Sequence, residues 1–199
     1  MTRPRLTVFV VFAALTALGP LVVVSASPAA GESLTFTLEP QATQVTFELD
    51  ATLHTVHGSL KAAQGTLTVD PATGAASGEV ILDLTSAATG NSGRDKKMHA
   101  EILETARYPK AVFHVARVDG ALKREGASSL QLRGALDFHG ATHAISLPAI
   151  VTVHGNRATA TGNLTIPFVA WGLKDPSFGF VRVGKDVKVE IRAAGRLAG

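Results

Sequence analysis

A chain of 199 residues, 46% hydrophobic and without cysteine, is long enough for one domain with a substantial core and too apolar for a disordered polypeptide. The missing cysteines exclude disulfides, thiolate metal sites, thiol catalysis and a cysteine-linked lipid anchor together. Setting aside the two arginines of the first segment leaves 17 basic residues against 16 acidic ones; so balanced a charge, with no basic patch, speaks against a nucleic-acid partner.

In chain order, Arg3 and Arg5 precede an almost wholly apolar run, Leu6 to Leu18, which Gly19-Pro20 interrupts ahead of small residues. This is the pattern of a secretory signal peptide. Cleavage is expected after Ala26, with Ala30 as the second site, so residues 1–26 form the leader and 27–199 one domain exported to the periplasm or the extracellular space. A retained anchor is the competing reading, but a run broken by Gly-Pro falls short of the ~20 residues that a spanning helix needs.

From Leu34 the dominant signal is alternation of apolar with polar residues, the period of a half-buried strand. Leu34, Phe36 and Leu38 form one run; beyond Pro40, Val45, Phe47, Leu49, Ala51 and Leu53 form another. Leu67 and Val69 lead into Asp70-Pro71-Ala72-Thr73-Gly74, a turn sequence, and Val80, Leu82 and Leu84 return. Arg94 to Glu104 differs: Met98, Ile102 and Leu103 fall at helical spacing, with Ser92 or Gly93 as the cap and Asp95 in the first turn. Tyr108-Pro109 ends that short helix. Strands follow over Val112–Val118, Leu130–Phe138, Ile145–Val153, Ala158–Phe168 and Val187–Ile191.

Eight or more strands, one helical interruption and mostly short turns define an all-β protein, either a closed antiparallel up-and-down barrel or a two-sheet sandwich. Closure would remove exposed edges, and an eight-stranded barrel has an interior wide enough for side chains or one small ligand. Ala51, Gly134, Ala158, Ala160 and Gly162 sit at inward positions where a filled core prefers larger residues. A cavity is therefore favoured, although a sandwich could absorb the same residues at close sheet contacts.

Several local patterns then coincide in order: Thr43-Gln44-Val45-Thr46-Phe47, Val56-His57-Gly58, Thr89-Gly90, Arg94-Asp95, Tyr108-Pro109-Lys110-Ala111-Val112-Phe113, and Gly134 through Thr142 with His139-Gly140 at its turn. Trp171 through Ser177 and Val187-Lys188-Val189 follow. Together they resemble the YceI-like domain family over nearly all of the expected mature chain. The resemblance implies an eight-stranded, lipocalin-like antiparallel barrel with one short helix, exported, enclosing a polyisoprenoid or another long-chain lipid. It implies carriage rather than catalysis and no cofactor, with a homodimer left open as the assembly. An enzyme acting on a lipid within the barrel, and a β-domain without ligand, are the competing classes.

Alternation assigns the inward, ligand-lining face to Phe47, Leu49, Leu82, Phe113, Leu132, Leu136, Phe138, Leu164, Ile166 and Phe168. Head-group candidates are Arg94, whose guanidinium can hold an anion at the rim, and His139, beside Gly140 in a turn. For Arg94-Asp95 the structural alternative is helix capping, and for His139 it is turn formation. Trp171 is either a cavity liner or a structural plug. His54 and His57 suggest a metal pair, but three positions apart on a regular strand they face opposite ways, and no metal is expected. No catalytic motif is present either.

Overall fold

The computed structural model describes residues 32–199; the expected signal peptide at 1–26 lies outside them. Nine strands are present: β1 (Leu34–Leu38), β2 (Gln44–Leu49), β3 (Val56–Val69), β4 (Ala76–Ala88), β5 (Lys110–Asp119), β6 (Gly126–Phe138), β7 (Ala141–His154), β8 (Arg157–Ile166) and β9 (Val187–Ala198). All pairings are antiparallel. Each strand from β3 to β9 pairs with the next, and β1 and β2 both bridge β3 to β9.

β1 and β2 are therefore one stave in two pieces, and the barrel is closed with eight staves in up-and-down order. The break has a local cause. Pro40 opens a single tight turn over Pro40–Ala42, and its missing N–H cannot serve the ladder. Closure satisfies every stave on both sides, which a sandwich of the same strands would not.

The hairpins follow their turn chemistry. Asp70 closes the β3–β4 connection: its carboxylate accepts from the Ala72 N–H and the Thr73 hydroxyl, both at 2.8 Å. The β6–β7 connection is a two-residue turn with positive φ at both His139 (51°) and Gly140 (80°), the backbone twist that joins tightly paired strands.

Among the described residues, the α-helical segment lies between β4 and β5. Helix α1 (Ser92–Lys97) runs into a wider turn over Met98–Ile102, closed by the Leu103 N–H donating to the Met98 carbonyl. Its cap is Asn91 rather than Ser92 or Gly93: the Asn91 side chain accepts from the Arg94 N–H at 3.0 Å. β2 also ends sooner than its alternation suggests. It stops at Leu49, and Leu53 stands 71% exposed in the loop before β3.

Candidate ligand-binding cavity

Closing eight staves turns one face of every strand inward, but here the inward side chains do not fill the barrel. Among the described residues, Val45 and Val153 are the largest side chains that are fully enclosed. Leu60, Leu82, Leu132, Leu164 and Val189 point inward yet remain half-buried. What they face is a cavity of about 670 Å³, within the range of sites that hold drug-sized or larger apolar ligands.

The cavity runs through the barrel. At the helix end it meets Arg94, Lys97, Met98, Ile102, Leu103, Leu173 and Pro176; at the opposite end it meets Leu34, Val69, Leu122 and Leu197. Along one wall the side chains are small: Ala158, Ala160 and Gly162 on β8 lie beside Ala149 on β7 and Ala193 on β9. At its alanines that belt widens the hollow where Val or Leu would fill it, whereas at Gly162 a Cβ would come within 2.9 Å of the Pro148 carbonyl oxygen, so the close approach of β7 explains that glycine. Ala51 and Gly134 are not part of it. At Gly134 a Cβ would come within 2.0 Å of the His114 carbonyl oxygen, so the close approach of β5 explains the glycine.

All ten residues assigned to the inward face line the cavity, but they divide into two groups. Phe113, Leu136, Phe138, Ile166 and Phe168 belong to a packed cluster that also contains Leu84, Ala111, Val115 and Leu173. Phe47, Leu49, Leu82, Leu132 and Leu164 are half-buried along the hollow, the four leucines also packing against that cluster. Phe47 has a particular setting: its ring covers Gly58 on β3, where an added Cβ would lie 2.2 Å from the ring's Cζ.

The polar rim is built around Thr89. Arg94 Nε donates to the Thr89 hydroxyl oxygen at 2.7 Å and Nη2 to the Thr89 carbonyl at 3.0 Å, which leaves Nη1 outside that contact. The Thr89 hydroxyl in turn donates to Asp95, as does the Thr89 N–H at 2.9 Å. Chiefly through that hydroxyl, with the Thr89 N–H and the Arg94 charge adding to it and partial desolvation opposing, the Asp95 carboxyl is held below the usual carboxylate range. Arg94 is thus fixed at the cavity's edge by its own neighbours, and Lys97 lines the same edge.

His139 lies elsewhere. It does not line the cavity; its backbone forms the β6–β7 turn, and its ring packs 4.5 Å from the Tyr108 ring. Its Nε2 is 2.9 Å from Glu104 Oε2, but without the alignment of a hydrogen bond. Tyr108 also lies over Gly140, where a Cβ would be 2.8 Å from Tyr108 Cε1. The structure thus places His139 in the turn under its aromatic cover, with the buried Nε2 lacking a hydrogen-bond partner. Trp171 is a plug: it stacks on His143 at 3.8 Å with 7° between the planes and meets Phe138 edge-on at 6.3 Å. His54 sits in the loop before β3 and His57 pairs with Glu48 at 3.2 Å. Among the described residues, no three metal-ligating side chains converge.

A closed antiparallel barrel with one short helix and an apolar hollow defines a lipocalin-like protein. More narrowly, residues 36–194 match the YceI-like domain model, and the chain belongs to that family. Solved structures of similar fold include a polyisoprenoid-binding domain from Saccharophagus degradans implicated in plant cell wall breakdown, 19% identical, covering 82% of this chain and 98% of that one with a TM-score of 0.65. BcnA of Burkholderia cenocepacia is 18% identical, with 81% and 99% covered and a TM-score of 0.63. A YceI protein of Campylobacter jejuni is 17% identical, with 71% and 84% covered and a TM-score of 0.57. No curated protein matches the chain.

Proposed function

We propose that this chain is an exported carrier that encloses one long apolar lipid, a polyisoprenoid by class, along the axis of the barrel. The observation that carries the proposal is the cavity of about 670 Å³ inside a closed wall. At ~30 Å³ per water-sized group it holds about twenty methylene-sized groups. At ~0.8 kcal/mol each these supply roughly 16 kcal/mol of gross burial. Nanomolar binding needs about 12 kcal/mol, and ordering a flexible tail consumes much of the difference.

The composition of the wall supports carriage over turnover. Its polar side chains, among the described residues, are Thr43, Thr68, Thr89, Thr159, Arg94 and Lys97, and neither a carboxylate nor an imidazole lines it. The polyisoprenoid-binding domain of Saccharophagus degradans supports the ligand class, and the signal-peptide pattern in the sequence of residues 1–26 supports export. Arg94 Nη1 and Lys97 are placed to hold a polar or anionic head group at the helix end.

Native mass spectrometry of the processed protein, followed by denaturation and solvent extraction, tests the reading. A stoichiometric long-chain isoprenoid is the expected result. A protein that carries no lipid, and gains none on incubation with polyprenyl lipids, would refute it.

A further inference from the structure

Two loops at the helix end carry apolar side chains that the cavity does not use. Within the connection from β8 to β9, residues 178–181 form a small hairpin in which Phe178 and Val181 each donate an N–H to the other's carbonyl at 3.0 Å. Gly179 and Phe180 form its tip. Phe178 is 80% exposed and Phe180 81% exposed. The hairpin is anchored firmly. The Thr52 N–H donates to the Arg182 carbonyl at 2.9 Å, the Arg182 N–H donates to the Thr52 hydroxyl at 2.8 Å, and the Gly184 N–H donates to the Asp50 carbonyl at 2.7 Å. Exposed Leu53 follows directly on Thr52. Three large apolar side chains are thus held in water by ordered backbone, which no packing need of the barrel explains.

We infer that this hairpin and the adjoining Leu53 loop dock the protein on a lipid bilayer. Three observations select that occupant. The first is area. Three side chains, none exceeding the ~150–250 Å² of a large aromatic, fall short of the roughly 800 Å² per partner that a stable protein interface requires, so a second copy is disfavoured. The second is chemistry. Aromatic tips flanked by basic side chains suit the headgroup boundary of a membrane, and Arg182 and Lys185 are exposed on the same loop. With Lys174 they are matched by Asp50, Asp175 and Asp186 on the same two loops, so apolar insertion rather than charge dominates.

The third is continuity with the hollow. Pro176 and Val183, which flank the hairpin, line the cavity. The docking surface therefore lies at the cavity's rim, where lipid exchanged with a membrane would enter or leave. Its purpose, though not its geometry, rests on the carrier reading.

The test is flotation of the processed protein, its N-terminus verified by intact mass, with phosphatidylcholine vesicles and with vesicles of phosphatidylcholine and phosphatidylglycerol. The protein is expected to float with both to a similar extent. The double variant Phe178→Ser/Phe180→Ser should lose at least tenfold in partitioning with an unchanged circular dichroism spectrum. Ile150→Ser, which removes an exposed side chain from the barrel wall, should change nothing. Failure of the parent protein to float, or equal flotation of the double variant, overturns the inference. So does a dimer in sedimentation that the double variant dissociates. Isoprenoid extraction from the same protein before vesicles are added, and after incubation with polyprenyl lipids, separates the two readings: flotation of a protein that neither carries nor gains an isoprenoid upholds docking and removes carriage, whereas a bound isoprenoid without flotation does the reverse.

Discussion

Ala160 is the position at which the size of the hollow can be changed with least risk to the wall. It lies on β8 between Val151 and Ala193, both of which also line the cavity. Ala160→Leu adds three carbons directed into that space, about 90 Å³ at ~30 Å³ each, or roughly one-seventh of the volume. A lipid that fills the parent cavity should lose about three buried methylene equivalents, ~2.4 kcal/mol, a roughly fiftyfold weaker affinity. A ten-carbon tail, which leaves half the hollow vacant, should bind nearly as before. The assay is calorimetric titration with prenyl alcohols of ten, fifteen, twenty and twenty-five carbons, with circular dichroism to verify the fold. In the parent, affinity should climb with length and level off near twenty carbons; in the variant the plateau should come about three carbons sooner. An equal loss at every length, or none at any, would refute the assignment of Ala160 to a length-limiting wall.

Leu136 is 5% exposed within the packed cluster, so Leu136→Asp should destabilise the domain by at least about 3 kcal/mol in urea denaturation, and Phe138→Asp should act alike. Leu164→Asp, on the half-buried wall, should leave the domain folded but unable to retain lipid. Gly140→Ala should destabilise by about 1–3 kcal/mol, because φ is +80° and the new Cβ meets the Tyr108 ring; thermal unfolding measures it. Thr89→Val removes the main cause of the lowered Asp95 pKa. A depressed carboxylate stabilises the native state above its unfolded pKa and loses that contribution as pH falls through its folded value. The parent helix end should therefore stay ordered into the acid range below about pH 4, and the variant should loosen at higher pH; an NMR titration of Asp95 that shows equal pKa values in both would contradict this.

The staves were legible because a closed wall demands one apolar face, and alternation reports that demand directly. It fails where the wall adds a residue. On β3 the inward positions run Leu60 and Ala62, then Leu67 and Val69, because the pairing with β4 slips between Ala62 and Gln64. On β5 they run Phe113 and Val115, then Val118, across a slip between Val115 and Arg117. A bulge inverts every later side chain, and nothing in either sequence announces it. Leu53 differs for a related reason: it keeps the period of β2 beyond Leu49, the end of its ladder, and beyond the single bridge of Ala51 to Val183. His139 was ambiguous because a polar residue next to glycine suits a turn and a rim equally. Its positive φ and the Tyr108 ring settle the choice for the turn. The cap at Asn91 is a shift of one residue from Ser92, within the ordinary imprecision of helix ends.

Filled and hollow barrels share the same alternation, so the cavity itself could be inferred only from the small residues of β8. Its position follows from how packing is distributed along the staves. At the helix end Phe113, Leu136, Phe138, Ile166, Phe168 and Leu173 pack together beside the opening; at the other end Leu34, Leu130, Val153 and Ala158 are buried. Between them the wall relies on its backbone ladder, which closure completes on both sides of every stave and which needs no interior side chains to satisfy it. Stability and ligand space are thereby assigned to different lengths of the same strands. β8 passes from Ile166 in the cluster, through Leu164, Gly162 and Ala160 on the hollow wall, to buried Ala158. A substitution on this barrel should accordingly act on folding or on lipid retention according to its height along the stave, even where residue type and facing direction are the same.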